Sequence, residues 1–485
     1  MKNQVQLITY VDRIGCNSIS ELEYMLQSKL NGLFGGVHLL PFYYPIDGKD
    51  AGFDPIDHMQ IDSRLGDWND LKSLAKASEV MADLIVNHIS AESSQFKDFL
   101  EKGSKSEFFD LVLTRDKVFS EDISEEEILK IYRPRPGSPF TKFQLKDGKE
   151  LAVWTTFTSN QIDIDVNSNI GLAYLENILT VFQKAGVSMI RLDAAGYAIK
   201  KAGTSCFMIK ETFDFIDDLT QKAKSKGIEV LVEIHSFYQT QIEIAKKVDY
   251  VYDFALPVLV LDTIFNANSS NLKNWLKIAP KNVITVLDTH DGIGVVDVAS
   301  EGNRAGLIPD TTLEKIVEQI HINSKDSSKK ATGAAASNLD LYQVNCTYFE
   351  ALGKDENAYL IARAIQFFVP GIPQVYYVGL FAGDNDMELL SNTNVGRDIN
   401  RHYYSQEEID AVLKSRFFND FKKLILFRNQ HSAFNGQFEV LDTLNNELQL
   451  KWTNEDTWAV LAINLSEMKL NITFYDEIEK EKVLF

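Results

Sequence analysis

The chain has 485 residues, 45% of them hydrophobic and 24% charged, which is an ordinary globular composition. Its 49 basic and 69 acidic side chains give a formal net charge of −20, so neither nucleic acid nor a membrane is an expected partner, and a phosphate ligand would need local positive charge. Three widely spaced cysteines and the lack of a long apolar run predict a cytoplasmic protein without a disulfide framework.

Short apolar, β-branched or aromatic runs alternate with amphipathic stretches along most of the chain. The runs predict eight strands, at residues 5–10, 36–40, 81–86, 188–192, 229–232, 250–254, 283–287 and 374–378. Helical patterns lie between them, at residues 19–30, 68–77, 172–184, 213–226 and 272–278. Strands that alternate with helices over this length predict an α/β fold, the (β/α)8 TIM barrel.

Two connections are too long for a plain barrel. Residues 87–167 follow the third strand and include the proline-rich segment YRPRPGSPF, and residues 292–356 follow the seventh. Long insertions after strands usually form lids or small subdomains. We therefore assign two inserted subdomains to these ranges, and the second includes a Gly/Ala-rich loop. The barrel takes residues 1–86, 168–291 and 357–430, and the short strands of residues 431–485 predict a small antiparallel C-terminal β-domain.

Three predicted strands end in an acid, and the chemistry of a TIM barrel lies at the carboxyl ends of its strands. Asp193, Glu233 and Asp291 should therefore converge on one mouth. Arg191 and Asp193 are two apart on one strand, so both should point inward, and a buried arginine would keep that carboxylate ionised. The alternatives are that each acid caps the next helix, or that Arg191 forms a purely structural ion pair.

Three acids suit the cleavage of a glycosidic bond with retention of configuration. One ionised carboxylate attacks the sugar, one protonated carboxyl group protonates the leaving group, and a further anion stabilises the oxocarbenium-like transition state. A sugar also needs hydrogen-bonding partners, for which Asp50, His88, His290 and Arg397 are candidates.

Four segments resemble the hallmark segments of the α-amylase superfamily, glycoside hydrolase family 13. They are VNHIS (86–90), IRLDAAGY (190–197), VEIH (232–235) and DTHDGIG (288–294). The resemblance implies that Asp193 is the nucleophile, Glu233 the acid/base and Asp291 the transition-state stabiliser. Further segments resemble the sucrose phosphorylase subfamily over essentially the whole chain, among them QLITYVDRIG, DAGFDPIDH, IYRPRPG, ATGAAASNLDLYQVN and GRDINRHYY.

This resemblance implies the substrates and a set of binding residues. Sucrose and inorganic phosphate would be converted into α-glucose 1-phosphate and fructose through a covalent glucosyl-Asp193 intermediate, without a cofactor. Arg397 is expected to join Asp50 at the far hydroxyls of the glucosyl ring. The residues assigned to substrate binding are Asp50, Phe53, His88, Arg135, Phe157, Arg191, Tyr197, His290, Asp340, Tyr342, Gln343 and Arg397.

The acceptor side distinguishes a phosphorylase from a hydrolase. Arg135 resembles the arginine of the family that contacts phosphate, and a guanidinium fork suits phosphate oxygens. The loop before Tyr342 resembles a mobile acceptor loop, which would present Asp340 for fructose and Tyr342 for phosphate in turn. Asp340 and Gln343 are expected to contact the fructosyl unit. The alternative is that Arg135 lies in a solvated loop stiffened by prolines.

Other functions stay open. Asp340 disfavours a phosphorylated fructose, yet a phosphorylase of sucrose 6′-phosphate, glucosylglycerol or glucosylglycerate would share the barrel and the acids. An α-glucoside hydrolase, or a non-catalytic amylase-like binding subunit, are further alternatives. Asn87 precedes His88 as in calcium-binding amylases, but the subfamily does without calcium, so we expect no metal. Members of the family are often homodimers, although the sequence has no interface signature.

Overall fold

The computed structural model describes residues 1–48, 50–119, 123–133, 137–332, 343–476 and 480–485. Eight parallel strands close into one barrel in chain order, each paired with its neighbours in sequence and the last with the first. The predicted (β/α)8 barrel is confirmed. Its strands are β1 (Gln6–Thr9), β2 (Gly36–Leu39), β3 (Glu79–Ile85), β4 (Met189–Asp193), β5 (Glu229–Val232), β6 (Tyr250–Asp253), β7 (Val283–Thr285) and β8 (Ile372–Tyr376).

The strands are apolar on both faces because helices cover the outside of the barrel and side chains fill its interior. Met81, Met189, Leu231 and Ile284 belong to a core cluster of their own, separate from the main core between strands and helices. Side chains alternate along a strand, so Arg191 lies on the same face as Met189. The interior therefore changes from apolar to charged towards the carboxyl ends of the strands.

Helices lie between the strands as predicted, and several begin at a serine or aspartate whose side chain accepts a backbone N–H, among them Ser18, Asp67 and Ser168. The α-helices are Ile19–Gln27, Trp68–Ala77, Ser94–Lys102, Arg115–Val118, Glu125–Lys130, Asn169–Ala185, Lys210–Ser225, Tyr238–Ile244, Leu256–Phe265, Ser270–Ile278, Asp310–Asn323, Ser327–Thr332, Tyr348–Ala351, Glu356–Phe368, Tyr377–Leu380, Met387–Thr393, Gln406–Val412 and Arg416–Gln430. No helix among the described residues is long and apolar enough to cross a bilayer.

Among the described residues, four antiparallel two-stranded ribbons lie in the connections that follow the barrel strands. Tyr43–Tyr44 pairs with Asp57–Ile61 between β2 and β3. Between β3 and β4, His88–Ser90 pairs with Gln161–Asp163, and Phe140–Gln144 pairs with Glu150–Trp154. Between β7 and β8, Ile293–Gly294 pairs with Gln343–Val344. The second and fourth ribbons bring distant parts of the chain to the mouth of the barrel, while the domain boundaries given above stay a prediction.

The C-terminal part is a five-stranded antiparallel sheet, as the alternating pattern predicted. Its order follows the chain. The indole N–H of Trp452 donates to the carbonyl of Phe368 at 2.6 Å, which joins the sheet to the helix Glu356–Phe368. The strands are β9 (Gln437–Val440), β10 (Glu447–Asn454), β11 (Thr457–Asn464), β12 (Lys469–Asp476) and β13 (Lys480–Val483).

Candidate active site

The three predicted catalytic acids meet at the carboxyl end of the barrel. Asp193 ends β4, Glu233 directly follows β5, and Asp291 lies in the loop after β7. Their side chains keep 16%, 12% and 10% of their exposure, so each is nearly enclosed but can still be reached by a ligand. One oxygen each of Glu233 and Asp291 lies within 4.8 Å of the other and of a ring nitrogen of His235.

Arg191 lies beneath the acids and is completely buried. Its Nε pairs with Asp83 on β3, and its Nη1 donates to Glu233 Oε1 at 2.8 Å. Its Nη2 is 3.8 Å from Asp193 Oδ1. Arg191 points inward together with Asp193, as their spacing suggested, but its hydrogen bonds go to Asp83 and Glu233 instead.

Burial and these contacts shift the pKa values of Asp193 and Glu233. Burial raises the pKa of Asp193 to about 7, and the charge of Arg191 offsets only part of that rise. Burial likewise raises the pKa of Glu233 to about 8, and the charges of Asp193 and Asp291 add to it. Arg191 by itself therefore does not hold Asp193 ionised through the ordinary range, because its charge is shared with Asp83. Burial therefore makes both carboxyl groups of this pair keep a proton to higher pH than an exposed acid does.

Asp291 has a different environment. Burial alone would raise the pKa of this carboxyl group, but the charge of Arg397 and its other cationic neighbours lower it below the ordinary range. Arg397 Nη1 lies 2.9 Å from Asp291 Oδ1, and Arg401 Nη2 lies 3.8 Å from the same oxygen. Asp291 is thus a permanent anion at the mouth. The expected pairing of Arg397 with Asp50 stays a prediction.

Gln161, which the sequence analysis did not single out, links the side chains of Asp50 and His88. Gln161 Nε2 lies 3.3 Å from Asp50 Oδ2 and 3.1 Å from His88 Nε2. His88 Nε2 also lies 2.9 Å from the carbonyl oxygen of Phe53. Gln161 reaches this position because the ribbon after β3 pairs it with Ser90. Its distance in sequence from Asp50 left no local signal.

Aromatic rings enclose the same space. The Phe53 ring stacks on His290 with 4.9 Å between centroids and 13° between planes. Phe157 lies between His88, at 5.5 Å, and Tyr197, at 5.1 Å. Such rings suit the apolar C–H face of a sugar, while the polar groups beside them suit its hydroxyls.

The predicted acceptor residues are only partly within the described ranges. Arg135, Asp340 and Tyr342 lie outside the described residues. Gln343 lies inside them, and its Nε2 is 3.3 Å from His235 Nε2. The short strand Gln343–Val344 holds Gln343 there by pairing with Ile293–Gly294 of the loop that carries Asp291.

The ammonium group of Lys200 contacts the side chain of Asn87. Lys200 Nζ donates to Asn87 Oδ1 at 2.6 Å and to the Tyr197 carbonyl at 2.5 Å, and it pairs with Asp163 Oδ2 at 2.5 Å. Amide, carbonyl and carboxylate oxygens are ligands that Ca²⁺ also prefers. Because a fixed positive charge already neutralises them, this cluster supports the expectation that no metal binds at Asn87.

Comparisons with known proteins agree with this geometry. Residues 19–379 match the family model for the catalytic domain of alpha amylase. The chain belongs to the α-amylase family. It is 58% identical to a sucrose phosphorylase of Agrobacterium vitis, with 98% of this chain and 97% of that protein covered. It is 50% identical to a sucrose phosphorylase of Bifidobacterium adolescentis, with 95% and 92% covered.

A solved structure extends the likeness to three dimensions. The crystal structure of sucrose 6F-phosphate phosphorylase from Thermoanaerobacter thermosaccharolyticum is 40% identical and aligns with a TM-score of 0.92. The alignment covers 100% of this chain and 98% of that one. Within the α-amylase family, the chain therefore belongs to the subfamily of sucrose phosphorylases and related phosphorylases, as its long segments indicated.

The Lys200 cluster generates a stability prediction. Lys200→Met leaves the buried carboxylate of Asp163 without its cation, so we expect the free energy of unfolding to fall by about 3–5 kcal/mol in denaturant titration. The matched control is Lys201→Met, which removes only an exposed pair with Glu211 and should change stability little. Equal losses in the two variants would contradict the role assigned to the Lys200 ammonium group.

Proposed function

We propose that this protein is a sucrose phosphorylase, which transfers the glucosyl unit of sucrose to inorganic phosphate with retention of configuration. The products are α-D-glucose 1-phosphate and D-fructose. The observation that carries the proposal is a complete set of three acids at the barrel mouth in a chain 58% identical to a sucrose phosphorylase. A non-catalytic binding subunit would not need all three acids with separated pKa values.

In the first step, the carboxylate of Asp193 attacks the anomeric carbon of the glucosyl unit. The bond from that carbon to the fructosyl oxygen breaks, and the proton of Glu233 goes to the oxygen, so that neutral fructose leaves. The raised pKa of Glu233 keeps this proton available near neutral pH. The permanent charge of Asp291 stabilises the positive charge that develops on the sugar.

In the second step, an oxygen of phosphate attacks the anomeric carbon of the glucosyl ester from the side that fructose left. The ester bond breaks, and its electron pair returns to the Asp193 carboxylate. Two inversions give net retention, hence the α-anomer of glucose 1-phosphate. Glu233, deprotonated by the first step, can take the proton of the incoming phosphate. An anionic nucleophile needs less help from this base than water does.

Binding of the two substrates divides between the two sides of the mouth. Asp50, Gln161 and His88 form the hydrogen-bonding side for the glucosyl hydroxyls, and Phe53 and Phe157 provide its aromatic walls. Gln343 lies beside His235, whose ring is close to Glu233, and this supports its expected contact with fructose. Arg135, Asp340 and Tyr342 stay predicted acceptor residues. A homodimer and a cytoplasmic location also stay predictions.

A phosphorylase of sucrose 6′-phosphate is the second candidate. It is favoured by the full-length structural likeness to the sucrose 6F-phosphate phosphorylase, at a TM-score of 0.92. Asp340 argues against it, because a carboxylate on the fructose side would repel the substrate phosphate. The higher identity to two sucrose phosphorylases also favours unmodified sucrose.

The first test is incubation with sucrose, with and without inorganic phosphate, followed by analysis of both sugar products. We expect α-glucose 1-phosphate only when phosphate is present. Asp193→Ala is the control and should lose at least about 10⁴-fold of the activity, because no group replaces the nucleophile. Free glucose irrespective of phosphate would identify a hydrolase. Turnover of sucrose 6′-phosphate but not sucrose would identify the second candidate.

The pKa values of the acids predict the pH dependence. Asp193 must be ionised, so activity should fall as the pH drops through its pKa of about 7. Glu233 must be protonated, so activity should also fall as the pH rises through its pKa of about 8. The profile of kcat/KM for sucrose should therefore be bell-shaped and centred near neutrality. An acid limb at about 4, the value of an exposed carboxyl group, would contradict the burial argument.

Arg135 can be tested by comparing the two ways in which the glucosyl-enzyme is released. Arg135→Ala removes a guanidinium from the expected phosphate site, so kcat/KM for phosphate should fall by about 10–100-fold. Release by water, measured as free glucose without phosphate, should change much less. Arg133→Ala, in the same segment, is the comparison variant. Equal losses for phosphate and water in Arg135→Ala would make Arg135 a structural residue.

A further inference from the structure

A histidine–aspartate pair beside the catalytic acids has no part in the two displacements described above. His235 Nδ1 lies 2.8 Å from Asp297 Oδ2, and the two side chains are 7% and 0% exposed. The other oxygen of Asp297 accepts the Ser236 N–H at 3.2 Å and the Gln241 amide at 2.8 Å. These donors hold the carboxylate of Asp297 in one orientation, so that its second oxygen faces the Nδ1 of His235 and can accept a hydrogen bond from it.

Packing fixes the imidazole ring as well. The ring stacks on Phe254 with 3.8 Å between centroids and 15° between planes. A Cβ atom at Gly294 would lie 2.4 Å from Asp297 Oδ2 and 3.0 Å from His235 Nδ1. A glycine is therefore required at position 294, because any side chain there would collide with the hydrogen-bonded side chains of His235 and Asp297. The ring can neither flip nor withdraw without disturbing the loop that carries Asp291.

The second ring nitrogen faces the acceptor side. His235 Nε2 lies 3.3 Å from the amide of Gln343, the residue expected to contact fructose. Since a half-turn of that amide exchanges its nitrogen and oxygen, Gln343 can accept a hydrogen bond from Nε2–H or donate one to an unprotonated Nε2. A ring nitrogen of His235 also lies within 4.8 Å of carboxylate oxygens of Glu233 and Asp291.

The charges around His235 are one-sided. Asp297 and Asp291 face it from the loop after β7, and Glu233 faces it from the end of β5, while its neighbours Phe254 and Gln343 are neutral. Burial lowers the pKa of His235, but the charges of Asp297, Glu233 and Asp291 outweigh burial and raise it, with Asp297 contributing most. The charge of Glu233 is present once this residue has protonated fructose, which is the stage at which phosphate attacks. His235 therefore keeps its second proton to higher pH than an exposed imidazole, the opposite of His88 and His290, whose pKa values burial lowers.

We propose that Asp297 is a positioning residue that keeps His235 as an imidazolium and directs its Nε2–H towards the acceptor site, where it supplies positive charge for the attacking phosphate. This inference rests on the proposed function and deepens it. In a chain with a formal net charge of −20, phosphate needs local positive charge, and His235 would add a second cation to the expected Arg135. Water carries no charge and gains little from it.

The most direct test measures how the glucosyl-enzyme intermediate divides between phosphate and water. In a single reaction with sucrose and phosphate, the ratio of α-glucose 1-phosphate to free glucose reports how the glucosyl-enzyme divides between phosphate and water, and effects on the first step cancel. We expect Asp297→Asn to lower this ratio by about 10–100-fold, the loss expected for a charge-assisted hydrogen bond. The KM for phosphate should rise, and the KM for sucrose should hardly change.

The matched control is Asp386→Asn. It breaks a pair of the same kind, His402 Nδ1 with Asp386 Oδ2 at 2.6 Å, but outside the acceptor site, so the ratio should keep its wild-type value. The pH profile separates charge from shape. The ratio should fall as the pH rises through the pKa of His235, and in Asp297→Asn that fall should move to lower pH, because the raising charge is gone. A wild-type ratio and profile in Asp297→Asn would overturn the proposal.

A second readout does not depend on activity. The chain has 8 histidines, so ¹⁵N-histidine labelling gives few signals, and His235→Gln identifies the one of interest. We expect His235 to be doubly protonated near neutral pH in the wild type and neutral in Asp297→Asn. A neutral His235 in the wild type would overturn the proposal even if Asp297→Asn fails to fold. A wild type that forms no α-glucose 1-phosphate would instead refute the proposed function, which the spectrum does not require.

Discussion

The rest of the site depends on the hydrogen-bonded ion pairs that the buried guanidinium of Arg191 forms with Asp83 and Glu233. This guanidinium lies inside the barrel with no exposure, and it joins Asp83 on one neighbouring strand to Glu233 at the end of the other. Asp83 in turn contacts His38 Nε2 at 3.2 Å, so the network crosses β2, β3, β4 and β5. A charge in this position is tolerable only while its partners remain in place. The same contacts that stabilise Arg191 therefore fix the position of Glu233, and the apolar interior of the barrel ends in a layer of paired charges.

Above that layer, environment alone gives three carboxyl groups three different properties. Asp193 and Glu233 share one enclosed space, where burial raises the pKa values of both carboxyl groups and the charge of Arg191 offsets only part of the rise. Asp291 is equally enclosed, yet Arg397 and its other cationic neighbours hold it ionised. The difference comes from the loop between β8 and the last helix of the barrel, which brings Arg397 across the mouth. Three carboxyl groups thus acquire the different properties that the proposed roles of nucleophile, acid and electrostatic stabiliser require.

The two sides of the mouth solve opposite problems. The expected glucosyl side combines the carboxyl group of Asp50 with the Gln161 amide and aromatic faces, and burial lowers the pKa values of His88 and His290. The acceptor side must hold a neutral sugar in one step and an anion in the next, within a strongly acidic protein. Under our proposal, the pair His235–Asp297 supplies a cation on this side, with Asp297 holding the imidazole through its Nδ1.

Local patterns determined much of this protein from the sequence alone. The alternation of eight short apolar runs with helical stretches specifies the barrel, because periods of two and of 3.6 residues cannot be exchanged between strand and helix. The rule that barrel chemistry follows the strands then brings Asp193, Glu233 and Asp291 together. Tertiary structure decided the rest. It gives the hydrogen bonds of Arg191 to Glu233 and Asp83 instead of Asp193, and it places the Lys200 ammonium group among the oxygens around Asn87. It also places Gln161 between Asp50 and His88, and Asp297 against the Nδ1 of His235. Each of these is a contact between residues far apart in the chain. Hydrogen bonds and charges act over a few ångströms in space and leave no period in sequence, so only the folded chain shows which polar groups meet.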